Sequence, residues 1–158
     1  MPTPNDVVAH ALTCTHLMVN RFTADLQPAE YLHRPTEKAN CAAWTIGHLA
    51  LSDRGALKRM EVLDLPPLPE GFEKRFSRDE GCPQAGDFGD VSQILPVFNT
   101  HRERLINAVK SAPPAQFDRP LENCGFSPPG LFFGWARLNP GDAVAFRGVG
   151  RDHCTVGS

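Results

Sequence analysis

The longest helical pattern of apolar residues in the chain runs over residues 40–60. Its apolar positions recur at the spacing of one helix face and are Ile46, Leu49, Ala50, Leu57 and Met60. Its basic residues, on the opposite side, are Arg54, Lys58 and Arg59. His48 lies one turn from Trp44 and is aligned with the apolar side. Because a buried imidazole needs a hydrogen bond, a metal ion or water as its partner, His48 is the first candidate for chemistry.

A helix is predicted before this one, from a cap at Asn5 or Asp6 to about Leu26. Its apolar side is formed by Val8, Leu12, Thr15, Val19 and Phe22, and is widened by Leu17, Met18 and Leu26. His10 and His16 are six residues apart and share no face, so we interpret them as ordinary surface or edge histidines. A short helical turn at about 29–32 follows, and the central helix starts near Cys41, after the cap residue Asn40.

A third long helix is predicted from about Val91 to Ser111. Its apolar side is formed by Ile94, Val97, Phe98, Leu105, Ala108 and Val109. The same pattern predicts that Arg102, Glu103 and Arg104 face the solvent. His101 neighbours the apolar side, and we interpret it as an edge histidine with a local hydrogen bond, with a metal ligand as the alternative.

Residues 63–89 contain four prolines and four glycines, which exclude a long helix. We expect this stretch, called the covering segment below, to lie over the helices and to be anchored by Phe72 and Phe76. Near the end of the chain, a fourth helix starting at about Gly130 is strongly apolar but is interrupted by Pro140 and Gly141. The prediction is an all-α four-helix bundle in a single domain, 1–158, whose last helix is irregular or incomplete and whose tail, 129–158, is atypical.

Charge and composition exclude several classes of function. The net charge is −2, with 16 basic and 18 acidic residues and no basic run, so nucleic acid is not an expected partner. No apolar run is long enough to span a membrane and no secretory signal is visible, so we expect a cytoplasmic protein without a membrane partner. The five cysteines are widely spread and are interpreted as free thiols: Cys14, Cys41, Cys82, Cys124 and Cys154.

Two groups of residues match family motifs. The central helix carries Asn40, Trp44, Gly47, His48, Leu49, Ser52 and Asp53, and the covering segment carries Leu68, Pro69, Gly71 and Phe72. Over about residues 5–120 the chain therefore resembles the DinB-like superfamily, also called the YfiT-like metal-dependent hydrolases. The resemblance implies a four-helix bundle that forms a homodimer. It also implies a divalent metal (Ni, Zn or Mn) held by three histidines, in hydrolases or thiol transferases.

The resemblance assigns the first metal ligand to His48 and leaves the other two without a match. The family's HxxxHxGQ motif, aligned on Gly141 and Asp142, places Trp135 and Asn139 at the two histidine positions. Trp provides no metal ligand and neutral Asn only a carbonyl oxygen. Other candidates by chemistry are Asp53, His101, His153 and Cys154. For Asp53 the alternatives are a solvated residue beside Arg54 and a hydrogen-bond partner for a metal-binding histidine.

Two functions remain open from the sequence. The first is a metal-dependent hydrolase or thiol transferase that uses His48, with an apparently degraded metal site. The second is a non-catalytic, dimerising or binding helical bundle that binds no metal. The tail is either a diverged last helix or the product of a reading-frame change near residues 126–133. The codons beyond Pro120 decide between these, because a frame change requires HxxxHxGQ in another frame.

Overall fold

The computed structural model describes residues 1–36, 39–78, 82–83, 87–113 and 116, and over these residues it is helical and contains no strand. The α-helices in this part are α1 (Pro4–Thr23), α2 (Pro28–Tyr31), α3 (Ala42–Arg59), α4 (Phe72–Arg75) and α5 (Ile94–Ser111). A 3₁₀ turn, Val91–Gln93, leads into α5. The all-α prediction is confirmed for this part of the chain. The helix predicted near Gly130 and the tail, 129–158, lie outside the described residues.

The chain divides into two compact units, Met1–Ala112 and Pro113–Ser158. The first unit contains all of the helices named above. The prediction of one domain over 1–158 stays a prediction. Among the described residues, no helix combines the length and the apolar character that a membrane span requires.

Helix α1 begins earlier than predicted, because Thr3 is its cap. The Thr3 hydroxyl accepts from the Asp6 amide at 3.2 Å, and the Asp6 carboxylate accepts from the Thr3 amide at 2.8 Å. This reciprocal pair is a capping box, and Pro4 occupies the first helical position, where no amide proton is needed. The predicted caps, Asn5 and Asp6, are therefore wrong. The helix also ends before Leu26, at Thr23, and Pro28 starts the next helix.

Helix α5 packs against both α1 and α3. The side of α1 that meets α5 is more polar than predicted, because hydrogen bonds determine the rotation of the helix. Asn5 donates to the carbonyls of Val109 and Ala112 at 2.9 and 2.8 Å, near the end of α5. Thr15 and Phe22, placed on the apolar side by the sequence pattern, are exposed, and Phe22 keeps 69% of its surface accessible.

The cap of α3 is Cys41, one residue after the predicted Asn40, and its side chain makes no capping hydrogen bond. The apolar side predicted for α3 is largely correct, since Ile46, Ala50 and Leu57 are buried. The apolar side predicted for α5 is also buried at Ile94, Phe98, Leu105 and Val109. These residues give the two helices a continuous apolar contact.

Phe72 and Phe76 anchor the covering segment, as predicted, with 3% and 0% of their surface exposed. Phe88 joins them in the core cluster that includes Trp44 and Phe98. Gly71 has φ of +71°, a left-handed conformation that favours glycine, and it begins the short helix α4 that carries Phe72. The covering segment is thus held by buried aromatic side chains.

Gly47 makes room for this anchor. A Cβ atom at Gly47 would lie 2.3 Å from Cδ1 of Phe76, which is too close for any real contact. A Cβ atom at Gly55, on the same helix, would meet only the end of the Arg59 side chain at 3.4 Å. The glycine of the GHL motif therefore has a structural role, which is to admit the Phe76 ring.

We predict that Gly47→Ala lowers the free energy of unfolding, measured in urea, by about 1–3 kcal/mol, because the buried Phe76 ring must move. The matched control is Gly55→Ala, which we expect to leave stability unchanged or to raise it by up to about 1 kcal/mol through helix propensity. Equal effects of the two substitutions would contradict the close packing of Phe76 on α3.

Candidate functional site

His48 lies half-buried on α3 and contacts the covering segment. Its Nδ1 lies 3.0 Å from the backbone carbonyl oxygen of Phe76. Because a carbonyl only accepts, Nδ1 carries the proton, and Nε2 of the neutral ring keeps its lone pair. The ring stacks on Trp44 with the centroids 4.7 Å apart and the planes 6° from parallel. The partner that the sequence pattern requires for His48 is thus a backbone carbonyl and an aromatic face.

Asp53 and Arg102 form a buried ion pair between α3 and α5. Arg102 Nε donates to Asp53 Oδ2 at 2.7 Å, and the two side chains keep only 7% and 6% of their surface exposed. The interpretation of Asp53 as a solvated residue is therefore wrong, and so is the solvent-facing position predicted for Arg102. Glu103, by contrast, is exposed as predicted.

Arg102 also connects this pair to α1. Its Nη1 donates to the hydroxyl of Thr15 at 2.7 Å. Its guanidinium carbon lies 5.1 Å from the ring centroid of Phe98, one turn earlier on the same helix. A single side chain therefore joins all three long helices of the described chain.

The carboxyl group of Asp53 experiences two opposing effects. Burial raises its pKa above the ordinary value, while the hydrogen bond and the charge of Arg102 lower it. The burial effect is the larger of the two. The ion pair thus resembles other buried pairs, in which removal from water offsets much of the attraction between the charges.

His101 is fully buried on α5, with 0% of its surface exposed. The predicted local hydrogen bond is present, since Nδ1 lies 2.8 Å from the carbonyl oxygen of Val97, but the predicted edge position is wrong. Nε2 lies 3.3 Å from Nη1 of Arg54, which also donates to the carbonyl of Pro66 in the covering segment. Both ring nitrogens are thus engaged. Burial and the positive charge of Arg54 lower the pKa of His101, so the ring is neutral.

A further polar group joins α1 to α5. His16 Nε2 lies 2.9 Å from Asn99 Oδ1, and the side-chain amides of Asn20 and Asn99 exchange two hydrogen bonds of 2.9 and 3.0 Å. The interpretation of His16 as an edge histidine is consistent with its partial burial, and His10 is exposed, as expected. These contacts explain why the polar side of α1 faces α5.

The candidate metal ligands do not converge in the described part of the chain. Among its His, Cys, Asp and Glu side chains, no group of three could hold a metal ion. His48, Asp53 and His101 each have a different partner: a backbone carbonyl, Arg102 and Arg54. The described residues therefore do not fit a three-ligand metal site. Four other positions raised by the sequence lie outside the described residues: Trp135, Asn139, His153 and Cys154.

An open cavity of about 720 Å³ lies beside Arg54, next to the covering segment. Its charged lining residues are two basic ones, Arg54 and Lys74, and one acidic one, Glu73. Arg54 Nε is buried and has no hydrogen-bond partner among the described residues. Since His48 is not among the lining residues, the cavity and His48 are separate features.

A signal for the Asp53–Arg102 pair is present in the sequence. Arg102 is spaced at i+4 from Phe98 and at i−3 from Leu105, which places it on the buried side of α5. A charged residue at such a position requires a buried partner of opposite charge. Asp53 on α3 satisfies this requirement, but spacing alone does not identify which acidic residue does so.

We predict that stability falls as the pH is lowered from about 8 to about 5.5, with His101 contributing. The unfolded chain binds a proton at His101 near the ordinary pKa of 6.5, whereas the lowered pKa makes the folded state bind this proton less readily. The unfolded state therefore binds more protons in this range, and the slope for one proton approaches about 1.4 kcal/mol per pH unit. Urea unfolding at several pH values measures this slope.

His101→Gln should reduce this slope whatever its effect on stability at pH 8. The matched control is His33→Gln at an exposed histidine, which should retain the slope of the unaltered chain. An unchanged slope in His101→Gln would show that His101 does not stay neutral in the folded state.

A protein-family model matches most of this chain. The model of the DinB superfamily matches residues 12–147, a range that includes α3, the covering segment and α5. Comparison with curated proteins gave no match, and neither did comparison with solved structures. Since the family model matches well over half of the sequence, the chain belongs to the DinB superfamily.

Proposed function

We propose that this chain is a non-catalytic DinB-superfamily bundle that forms a homodimer and binds no metal. One observation carries the proposal: the candidate ligands His48, Asp53 and His101 are engaged by three different partners. The hydrogen bonds and the ion pair of these three side chains hold the helices and the covering segment together. We propose no nucleic-acid partner, because basic and acidic residues are nearly balanced.

A metal site would require three of these side chains to meet within bonding distance of about 2 Å of one ion. To become a ligand, Asp53 would have to leave Arg102, and the buried guanidinium would lose its counter-charge. His101 would have to release the Val97 carbonyl or Arg54. Both changes break contacts that stabilise the fold, which supports a structural role for these residues.

The alignment of the last motif supports the same proposal. A tryptophan and an asparagine, Trp135 and Asn139, replace the two histidines that complete the family's usual site. An indole offers no lone pair for a metal, and an amide oxygen is a weak ligand for nickel or zinc. His48 alone cannot retain such an ion.

The proposed partner is a second copy of this chain. Large apolar side chains on α1 are exposed, and these are Val7 (54%), Leu17 (65%), Met18 (53%) and Phe22 (69%). Val7, Met18 and Phe22 lie close to one line along the helix. Apolar residues grouped in this way mark interaction surfaces more often than isolated ones do. The family resemblance, which implies a homodimer, favours a second copy over an unrelated protein.

A metal-dependent hydrolase or thiol transferase is the second candidate, because one contact favours it. Histidines that bind metals usually donate their other ring proton to a carbonyl or a carboxylate. His48 does this through Nδ1 to Phe76, and Nε2 keeps its lone pair. This candidate needs two or more ligands from outside the described residues, and so it depends on the tail.

The two candidates are distinguished by measuring metal content and mass on the same purified full-length chain. After dialysis against nickel, zinc or manganese, we expect well below one equivalent of metal per chain by mass spectrometry of the elements. By light scattering we expect twice the chain mass of 17.3 kDa. His48→Ala should lower the free energy of unfolding by about 1–2 kcal/mol, because the Phe76 carbonyl loses its donor, with no change in metal content.

The matched control is His33→Ala at an exposed histidine of the same unit, which should change neither stability nor metal content. One equivalent of tightly bound metal, lost in His48→Ala and kept in His33→Ala, would contradict the proposal and establish the metal-dependent candidate. A mass of 17.3 kDa at micromolar concentration would contradict the homodimer.

A further inference from the structure

Cys41 and Cys82 are far apart in the sequence and adjacent in the structure. Their Sγ atoms lie 3.9 Å apart, although the two residues are 41 positions apart along the chain. A disulfide has an S–S bond of about 2.05 Å, so the two sulfurs need to approach by about 2 Å. Cys41 caps α3, and Cys82 lies in the covering segment.

The backbone around Cys82 is held close to this position. Arg34 Nη2 donates to the carbonyl of Cys82 at 3.1 Å and also to the carbonyl of Pro83. On the other side, Cys41 is fixed as the first residue before a helix of 18 residues. Contacts on both sides thus bring the two sulfurs to 3.9 Å from each other.

The two thiols differ in accessibility. Cys41 keeps 1% of its surface exposed, whereas Cys82 is half-buried. Burial and the neighbouring sulfur of Cys82 raise the pKa of Cys41, and the Trp44 amide and the charge of Arg34 oppose this rise. Cys41 is therefore a protonated thiol at neutral pH, and an oxidant in solution meets Cys82 first.

From this geometry we propose that Cys41 and Cys82 are a peroxide-oxidisable dithiol that closes to an intramolecular disulfide. The Cys82 sulfur attacks one oxygen of hydrogen peroxide, the O–O bond breaks, and a sulfenic acid and one water form. The Cys41 sulfur then attacks the sulfenic sulfur, the S–O bond breaks, and a second water leaves with the Cys41 proton. In total, two thiols lose two electrons and two protons, and one peroxide becomes two waters.

The disulfide would attach the covering segment covalently to the start of α3. That segment already contacts α3 through the Phe76 ring against Gly47 and the Phe76 carbonyl against His48. The disulfide would close a long loop between residues 41 and 82 and so restrict the conformations of the unfolded chain. The oxidised protein should therefore melt roughly 5–10 °C higher than the reduced one. The inference is independent of the proposed function, because it holds whether or not a metal binds.

The test is a map of disulfides in the full-length chain. Reduced protein is treated with a slight excess of hydrogen peroxide, blocked with N-ethylmaleimide and digested with trypsin. Because Arg and Lys separate all five cysteines, Cys41 falls in peptide 39–54 and Cys82 in peptide 79–102. We expect one cross-linked species that joins these two peptides, with a mass about 2 Da below their sum, and its disappearance on reduction.

Cys82→Ser should remove the cross-link, whereas the matched control Cys14→Ser, at an exposed thiol, should retain it. Since the map of the unaltered chain decides the question, a variant that fails to fold does not affect the result. The proposal is overturned if Cys82 joins any cysteine other than Cys41. It is also overturned if Cys82 becomes a sulfinic acid while Cys41 remains labelled by the maleimide.

Discussion

The ion pair between Asp53 and Arg102 is the interaction on which the arrangement of the helices depends. The two charges lie 2.7 Å apart and are almost entirely removed from water. Breaking such a pair by removing one partner leaves a buried charge without compensation, which is strongly destabilising. Arg102 also donates to the hydroxyl of Thr15, and this hydrogen bond connects the pair to α1. One guanidinium therefore defines how α1, α3 and α5 are aligned around it.

The covering segment is attached to this three-helix unit by a second group of polar and aromatic contacts. The Phe76 ring packs on Gly47, its carbonyl accepts from His48, and the Pro66 carbonyl accepts from Arg54. Trp44 and Phe72, one from each family motif, also belong to the same core cluster. These contacts give the motif residues a structural role in the fold, whether or not His48 also has another role.

The spacing of apolar residues predicts much of the fold, but it does not predict the polar contacts in the interior. The long helices, and the anchoring of the covering segment by Phe72 and Phe76, are visible because apolar side chains at helical spacing bury one face. The solvent-facing position predicted for Arg102 and the solvated alternative for Asp53 both follow from the rule that charged residues are seldom buried. A buried pair is recognised only when both positions are known in space. The rotation of α1 does not follow from apolar spacing either, because Asn5 and other polar residues on its inner side form hydrogen bonds with α5.

The central claim is that Asp53 and Arg102 act together as a structural pair. A double-mutant cycle with Asp53→Leu and Arg102→Met in urea unfolding tests it most directly. Each single substitution should destabilise by about 3–5 kcal/mol, and the double variant should be much less destabilised than their sum, because no buried charge remains alone. The exposed pair of Arg104 and Asp64, 3.8 Å apart, is the matched control and should show coupling near zero. Additive effects at Asp53 and Arg102 would contradict the account.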